Sequence, residues 1–213
     1  MKNTLVAMTI LLASGTFTRG AEPPADEPGW IRLFDGKTLH AWKCGGNPAS
    51  FYVEDGALVA KAVGGNAHLF YDGEVKRHDF RNFHLKVDVM TTPGSNSGIY
   101  IHTAYQESGW PSKGYEIQVN ISHADPKKSG GLYGVKDCYE RAAKDNTWYT
   151  QEIIVQGKRI ISKIDGKVIV DYTEPSDWKE AGRRLSSGTF ALQAHDPKSK
   201  VYFKNILVKL LDD

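Results

Sequence analysis

Cysteine is scarce in this chain: among 213 residues, only Cys44 and Cys138 occur. Two cysteines do not form a zinc site by themselves. Export to an oxidising compartment would permit one disulfide between them, and two free thiols are equally compatible with the sequence. Their spacing does not indicate a catalytic nucleophile, so thiol chemistry is not expected.

An excess of charge of one sign is also missing. The chain has 27 Lys and Arg against 25 Asp and Glu, and loss of residues 1–20, which contain Lys2 and Arg19 but no acid, leaves 25 of each. Nucleic-acid and anionic-membrane binding normally require a concentrated basic surface. The balance therefore argues against nucleic acid as a partner and favours a neutral, polar ligand such as a small molecule or an oligosaccharide.

Long hydrophobic runs are absent apart from a short one at the N-terminus. The mainly apolar residues 5–12 follow Lys2 and precede the small residues 13–15, which is the layout of a secretory signal peptide. The run is too short to span a bilayer. We therefore expect a signal peptide over residues 1–20, a flexible leader over 21–28, no transmembrane segment in the mature chain, and a periplasmic or secreted location.

Amphipathic helices and internal repeats are not visible in the rest of the sequence. Instead, short segments alternate between apolar and polar residues, most clearly at 80–91. Asp-Gly pairs at 55–56 and 165–166 predict tight hairpin turns. About a dozen closely spaced strands predict one all-β domain over residues 29–213, with consecutive hairpins forming an antiparallel sandwich or barrel.

Three of the predicted strands carry a polar face opposite an apolar one. Since successive side chains of a strand point to opposite sides, Ile117 and Val119 are expected in the core while Glu116 and Gln118 share the other face. The strands near residues 99–102 and 190–195 repeat this pattern. We expect the polar faces to line one concave surface, which would gather Tyr100, His102, Glu116, Gln118, Asn120, Gln193 and His195.

The order of the sequence motifs carries more information than any one motif. Along the chain they are Leu33-Phe34-Asp35-Gly36-Lys37-Thr38-Leu39 with Trp42, Asn96-Ser97-Gly98-Ile99, Tyr115-Glu116-Ile117-Gln118, Gly131-Leu132-Tyr133, Trp148, Leu192-Gln193-Ala194-His195 and Val201-Tyr202-Phe203-Lys204-Asn205-Ile206. This set resembles the 3-keto-disaccharide hydrolase family, over residues 29–210. The resemblance implies a concanavalin A-like jelly-roll β-sandwich, export, and action on sugars oxidised to a ketone at carbon three. Two positions depart from the family pattern, since His102 stands where Arg is expected and Asn120 where Asp is frequent.

The residues around Glu116 limit the chemistry. Glycosidases on similar sandwiches use two carboxylates, but the neighbours of Glu116 on its face are Gln118 and Asn120. A ketone at carbon three offers another route besides direct hydrolysis. It acidifies the hydrogen on carbon two, so a base can form an enolate that expels the carbon-one substituent, and water addition completes a net hydrolysis. Glu116, His195 and His102 are the candidate catalytic residues, and the same three could instead bind a divalent metal ion that polarises the ketone.

The candidate sugar contacts are amide and aromatic side chains. Trp110 could stack on a sugar ring or lie in the core, and His68 and His123 are interpreted as structural or exposed. A non-catalytic, lectin-like carbohydrate-binding module is the alternative function, because the same contacts would hold an unoxidised glycan. The predicted substrate-binding residues are Asn96, Tyr100, Gln118, Asn120, Tyr133 and Gln193.

Overall fold

The computed structural model of the protein describes residues 28–212 and contains thirteen β-strands. Two short 3-10 turns, Pro48–Ser50 and Val75–His78, are the only helical elements in this range, and neither could cross a membrane. The predicted signal peptide and all but the last residue of the predicted leader lie outside the described residues. The strands are β1 (Trp30–Arg32), β2 (Trp42–Gly45), β3 (Phe51–Glu54), β4 (Ala57–Ala60), β5 (Ala67–Tyr71), β6 (Phe83–Thr91), β7 (Asn96–Thr103), β8 (Tyr115–Asn120), β9 (Tyr149–Gln156), β10 (Arg159–Ile164), β11 (Lys167–Thr173), β12 (Thr189–Ala194) and β13 (Val201–Leu210).

The strands form two antiparallel sheets packed face to face. The larger sheet has eight strands in the order β11-β10-β9-β6-β13-β4-β3, with β1 added beside β13. The smaller sheet has five strands in the order β2-β5-β12-β7-β8. This arrangement confirms the predicted all-β antiparallel sandwich.

Two hairpins close through the predicted Asp-Gly pairs. Asp55 and Gly56 have φ of 49° and 76°, and Asp165 and Gly166 have φ of 47° and 78°. Two consecutive left-handed residues are what a type I′ turn requires, and Asp and Gly adopt that conformation readily. These pairs therefore fix the registers of β3–β4 and β10–β11.

The core lies between the sheets and follows from strand alternation. β6 alternates buried and half-buried residues along its whole length. Phe83 of β6 meets Phe190 of β12, with ring centroids 4.8 Å apart, and Phe80 stacks on Phe190 at 4.4 Å. Burial of a Phe side chain contributes roughly 1.5–3 kcal/mol. This aromatic cluster therefore joins the two sheets beneath one end of the smaller sheet.

The two cysteines lie far apart in the strand order. Cys44 is in β2 at one edge of the smaller sheet, whereas Cys138 follows β8, the strand at the opposite edge. Both are free thiols. Of the two alternatives that the sequence allowed, the structure shows the unpaired one.

The outer edge of β8 is closed by residues 128–133. The backbone N–H of Gly130 donates to the Gln118 carbonyl (3.0 Å), and that of Tyr133 donates to the Glu116 carbonyl (2.9 Å). The segment makes one isolated bridge to β8 and does not form a regular strand. It satisfies edge groups of the sheet and sets Tyr133 beside Glu116.

Candidate functional site

Strand register gathers polar side chains on the concave face of the smaller sheet. Tyr100 of β7 lies opposite Glu116 of β8, and Gly98 lies opposite Gln118. These strands and the loops above them enclose a cavity of about 410 Å³, a size typical of small-molecule sites. It is lined by Asn96, Tyr100, Trp110, Pro111, Ser112, Gly114, Glu116, Gln118, Tyr133, Arg183, Gln193 and His195.

Glu116 is held on the floor of this cavity by two side chains. The Tyr100 hydroxyl donates to its Oε2 (2.9 Å), and Gln193 Nε2 donates to its Oε1 (3.1 Å) and to the Tyr100 oxygen (3.0 Å). Burial raises the pKa of Glu116 to about 7, although both hydrogen bonds and the nearby Arg183 favour the anion. Glu116 can therefore give or take a proton near neutral pH.

Gly98 makes room for this carboxylate. A Cβ atom at position 98 would collide with the Glu116 carboxylate, which crosses the backbone of β7 at that point. The φ of Gly98 is not in the left-handed region, so its backbone conformation does not require a glycine. The glycine of the Asn96-Ser97-Gly98 motif is explained instead by the close approach of the Glu116 side chain.

His195 is the second titratable group that lines the cavity. Its Nδ1 lies 2.9 Å from Asp196 Oδ2, and Asp196 also accepts from the Ser199 hydroxyl (2.6 Å). Burial alone would raise the pKa of Asp196, but the hydrogen bonds from Ser199, His195 and Lys198 outweigh it and lower the pKa to about 2. Because the carboxylate stays ionised, it accepts a hydrogen bond from Nδ1–H of His195, and Nε2 is the ring nitrogen that this bond leaves unused.

The prediction that His102 shares the face of Glu116 is wrong. Ala191 pairs with Tyr100 and Thr189 with Thr103, so β7 carries one extra residue at this point, and His102 takes a left-handed φ of 52°. Such a bulge interrupts the alternation of side chains. The ring turns toward Phe83, with centroids 5.7 Å apart, away from the cavity.

His102 instead joins two loops. Its Nε2 donates to the Arg81 carbonyl (2.9 Å), and its Nδ1 accepts from the Ser186 N–H (3.1 Å). Burial lowers the pKa of His102 to about 4, against the effect of the Arg81 carbonyl, so the ring is neutral at pH 7. Its position indicates a structural role.

Asn120 also lies outside the cavity lining. Its Nδ2 donates to the carbonyls of Asp125 (2.9 Å) and Lys127 (2.7 Å), and its Oδ1 accepts from the His123 N–H (2.9 Å). These bonds use the side chain fully and shape the loop that follows β8. That loop carries His123, whose ring centroid is 5.7 Å from that of His195. The structure thus places Asn120 as a support for the loop, and the predicted direct sugar contact is wrong for this geometry.

The remaining predicted sugar contacts lie in the cavity, and three of them present unused hydrogen-bonding atoms. Asn96 Oδ1, Gln118 Nε2 and Gln193 Oε1 are buried without a hydrogen-bond partner. Buried polar groups are normally paired, and each unpaired one costs about 1–3 kcal/mol. The three atoms belong to residues that line one cavity, so the cavity wall is rich in amide groups.

Trp110 forms a wall of the cavity. It is 53% exposed, and its ring centroid is 5.5 Å from that of His195 and 5.7 Å from that of His68. Gln106 braces the loop by donating from Nε2 to the Trp110 carbonyl (2.8 Å) and accepting from the Ser112 N–H (3.0 Å). An exposed ring at the mouth of a polar cavity can stack on a sugar ring.

Arg183 lines the cavity, although sequence reasoning did not assign it to the site, and His68 packs against two lining residues, Tyr100 and Trp110. Arg183 lies in the segment between β11 and β12, where no periodic pattern marks a direction for any side chain. His68 pairs with Gln193 across β5 and β12, and its Nε2 is buried without a partner. Burial, together with the nearby His195, lowers the pKa of His68 to about 4. The buried position of His68, outside the cavity lining, agrees with its interpretation as a structural residue.

The three candidate metal ligands do not converge. Glu116 and His195 line the cavity, whereas His102 contacts Phe83 between the sheets. Among residues 28–212, no group of three or more His, Cys, Asp or Glu side chains is arranged to hold a metal ion. The predicted ligand set therefore does not fit a metal centre.

Comparison with solved structures places the fold. A crystal structure of a protein from Parabacteroides distasonis, provisionally described as a glycosyl hydrolase, matches with a TM-score of 0.72 and 23% identity over 86% of this chain and 94% of that one. A Bacillus subtilis protein of unknown function with a galectin-like fold matches with a TM-score of 0.61 and 11% identity, covering 80% and 90% of the two chains. These likenesses confirm the predicted concanavalin A-like jelly-roll class.

Comparison of sequences identifies the family. The 3-keto-disaccharide hydrolase of Bacteroides thetaiotaomicron is 25% identical, over 89% of this chain and 81% of that protein. Residues 29–209 match the family model described as a 3-keto-alpha-glucoside-1,2-lyase-like domain. The resemblance seen in the ordered motifs is thereby confirmed, and the chain belongs to the 3-keto-alpha-glucoside-1,2-lyase-like domain family.

Proposed function

We propose that this protein is an exported enzyme that cleaves the glycosidic bond of 3-keto-glycosides, including 3-keto-disaccharides, with net hydrolysis. The family and the name of its Bacteroides relative support a keto-sugar substrate. The cavity supports it as well, since its lining of amide, hydroxyl and aromatic side chains suits a polyhydroxylated ligand. The observation that carries the proposal is a buried Glu116 with a pKa near 7, in one cavity with a His195 that Asp196 orients.

The two-carboxylate route of ordinary glycosidases does not suit this cavity. Among the described residues that line it, Glu116 is the only carboxylic acid. Asp196 lies behind His195 and is occupied by hydrogen bonds from that ring and from Ser199. The described residues that line the cavity therefore supply no second acid at the separation that retaining or inverting enzymes use.

A ketone at carbon three allows the bond to break by elimination. His195 Nε2 removes the proton from carbon two, while Nδ1–H remains bonded to Asp196. The electron pair of the broken C–H bond forms the carbon two–carbon three double bond and places negative charge on the ketone oxygen. When the ketone reforms, the pair of the carbon two–carbon three double bond forms a double bond between carbons one and two, the bond from carbon one to the leaving oxygen breaks, and protonated Glu116 gives that oxygen its proton. Water then adds across carbons one and two, hydroxyl to carbon one and hydrogen to carbon two.

The protonated form of Glu116 that this sequence requires is available near neutral pH. A group with a pKa near 7 is about half protonated there, so Glu116 can act as the acid in a large fraction of molecules. The Tyr100 hydroxyl and the Gln193 amide keep the carboxyl group in place in either state. Both catalytic groups can thus complete their proton transfers without leaving the cavity.

The test compares a 3-keto-disaccharide with its unoxidised parent as substrates of the purified protein. We expect sugar release from the keto substrate alone, and Glu116→Gln or His195→Ala should lower the rate by roughly 10²–10⁴-fold, the usual contribution of a positioned acid or base. Glu152→Gln is the matched control, because Glu152 also bonds a histidine, His84 (2.7 Å), but on the larger sheet. Binding of the unoxidised glycan without release from either sugar would instead establish the lectin-like alternative.

Export is the cellular part of the proposal, supported by the N-terminal sequence. We expect the protein of the native host to be recovered from the periplasm or the medium, with its N-terminus near residue 21. Fractionation followed by N-terminal sequencing measures both. Recovery in the cytoplasm with Met1 or Lys2 at the N-terminus would overturn this part and leave the enzymatic proposal standing.

A further inference from the structure

Arg183 is fixed at the cavity by backbone contacts from two neighbouring segments. Its own carbonyl accepts from Trp178 Nε1 (2.6 Å), and the adjacent Gly182 carbonyl accepts from the Gly114 N–H (3.0 Å). Its guanidinium lines the cavity, where NH1 donates to the Tyr133 carbonyl (3.0 Å). The side chain is thus held by the loop that carries Tyr133 as well as by its own.

The guanidinium has no carboxylate partner among residues 28–212. One carbonyl takes one of its five N–H donors, and no ion pair involves it. Burial raises the pKa of both Glu116 and Tyr100, and the charge of Arg183 offsets part of that rise, so the guanidinium is within electrostatic range of the cavity floor. A positive charge with free donors at this place is positioned for negative charge on a bound molecule.

The other donors of the floor are less suited to that task. The Tyr100 hydroxyl and Gln193 Nε2 are already bonded to Glu116. Gln118 Nε2 is free, but it is neutral. Arg183 is the cavity-lining residue that combines a permanent charge with unused donors.

We propose that Arg183 is a catalytic residue that donates hydrogen bonds to the oxygen on carbon three of the sugar and stabilises the negative charge of the enolate. This inference rests on the proposed function. In the step concerned, the carbon two–hydrogen bond breaks, the proton moves to His195, and the electron pair is delocalised onto the oxygen facing Arg183. The charge exists only after proton removal, so the interaction is stronger in the transition state than in the bound ketone.

The test isolates enolate formation from bond cleavage. A 3-keto sugar with hydrogen in place of the carbon-one substituent, 3-keto-1,5-anhydroglucitol, has no leaving group but keeps the acidic hydrogen on carbon two. NMR follows the exchange of this carbon-two hydrogen for solvent deuterium. The proteins compared are wild type, Arg183→Met, Arg183→Lys and Arg184→Met. Arg184 is the matched control, since it is the next residue in the chain and is exposed to solvent.

We expect Arg183→Met to lower the exchange rate at saturating sugar by roughly 10²–10³-fold, the usual effect of removing one donor to a developing oxyanion. Arg183→Lys should recover part of the rate because it keeps the charge, and Arg184→Met should match wild type. The substitution should lower kcat more than it changes KM. A merely structural defect would not lower kcat selectively. Matching urea midpoints would show that the variants are folded.

Two outcomes separate this inference from the proposed function. Exchange by Arg183→Met within about threefold of wild type, well short of the loss expected for an oxyanion donor, would overturn the role of Arg183 even if cleavage of 3-keto-disaccharides were lost. Absence of both exchange and sugar release with wild-type protein would overturn the proposed function, and the inference with it.

Discussion

Replacement of Glu116 by Gln should stabilise the protein in alkaline solution while it removes activity. The pKa of Glu116 is about 7 in the folded protein, against 4.5 for an unperturbed glutamate such as that of the unfolded chain, because burial penalises the anion. Below pH 4.5 the carboxyl group of Glu116 is protonated in the folded and in the unfolded protein, so it does not lower the free energy of unfolding. As the pH rises from 4.5 toward 7, the unfolded chain ionises first, and folding must retain a proton that the unfolded state has released.

The size of the effect follows from the difference of about 2.5 pKa units. At about 1.36 kcal/mol for each unit, the wild-type protein loses about 3 kcal/mol of unfolding free energy between acid solution and pH 8. Gln keeps the acceptor for Tyr100 and is neutral at every pH. For a chain of this size, 3 kcal/mol corresponds to a shift in melting temperature of roughly 10 °C.

Urea unfolding of both proteins at about pH 4 and about pH 8.5 measures the effect. Glu116→Gln should equal wild type at the acidic pH and exceed it by about 3 kcal/mol at the alkaline pH. Other titrating groups are present in both proteins and cancel in the difference. A stability difference that does not change with pH would refute the reasoning, because it would mean that Glu116 titrates as an ordinary exposed acid.

Three further predictions concern His102, Gly98 and Asp196. Burial lowers the pKa of His102 to about 4, so the unfolded chain binds this proton first as the pH falls below about 6.5, and the contribution of His102 to stability should decline toward pH 4. In urea melts, wild type should therefore lose stability relative to His102→Gln over this range, and a difference that does not change with pH would contradict a buried, neutral ring. Gly98→Ala should displace the Glu116 carboxylate and lower the rate on 3-keto substrates by at least about 10²-fold while circular dichroism shows an intact β fold, and normal activity would contradict the described contact. Asp196→Asn should lower kcat by roughly 10²–10⁴-fold with little change in KM, because His195 loses its orienting anion, and an unchanged kcat would argue against His195 as the base.

The sequence was informative wherever strand alternation ran without interruption. Tyr100, Glu116 and Gln118 lie on the predicted face because β7 and β8 pair regularly over these positions. His102 escaped this reasoning because one extra residue turns it to the other side, and no composition signal marked the bulge. At Asn120 the side chain turns back into the following loop, where backbone groups at the end of the strand needed partners.

The residues that sequence reasoning missed depend on long-range arrangement. His68 lies opposite the cavity-lining Gln193 because β5 pairs with β12, a neighbour that lies more than a hundred residues away in the chain. Arg183 comes from a loop, and the direction of a loop side chain follows from its contacts, since no backbone period imposes it. Fold class could thus be inferred from local patterns, whereas the full set of cavity residues required the strand order and the loop paths.

The closure of the outer edge of β8 has a consequence for the behaviour of the protein at high concentration. An exposed edge strand with unpaired backbone groups can pair with a strand of another molecule, which is a route to aggregation. Residues 128–133 occupy those groups on the strand that carries Glu116, although they do so with isolated bonds that are easier to open than a regular ladder. Substitutions that loosen this segment should therefore promote intermolecular strand pairing at the active-site edge, so that loss of solubility and loss of substrate binding would arise from one local opening.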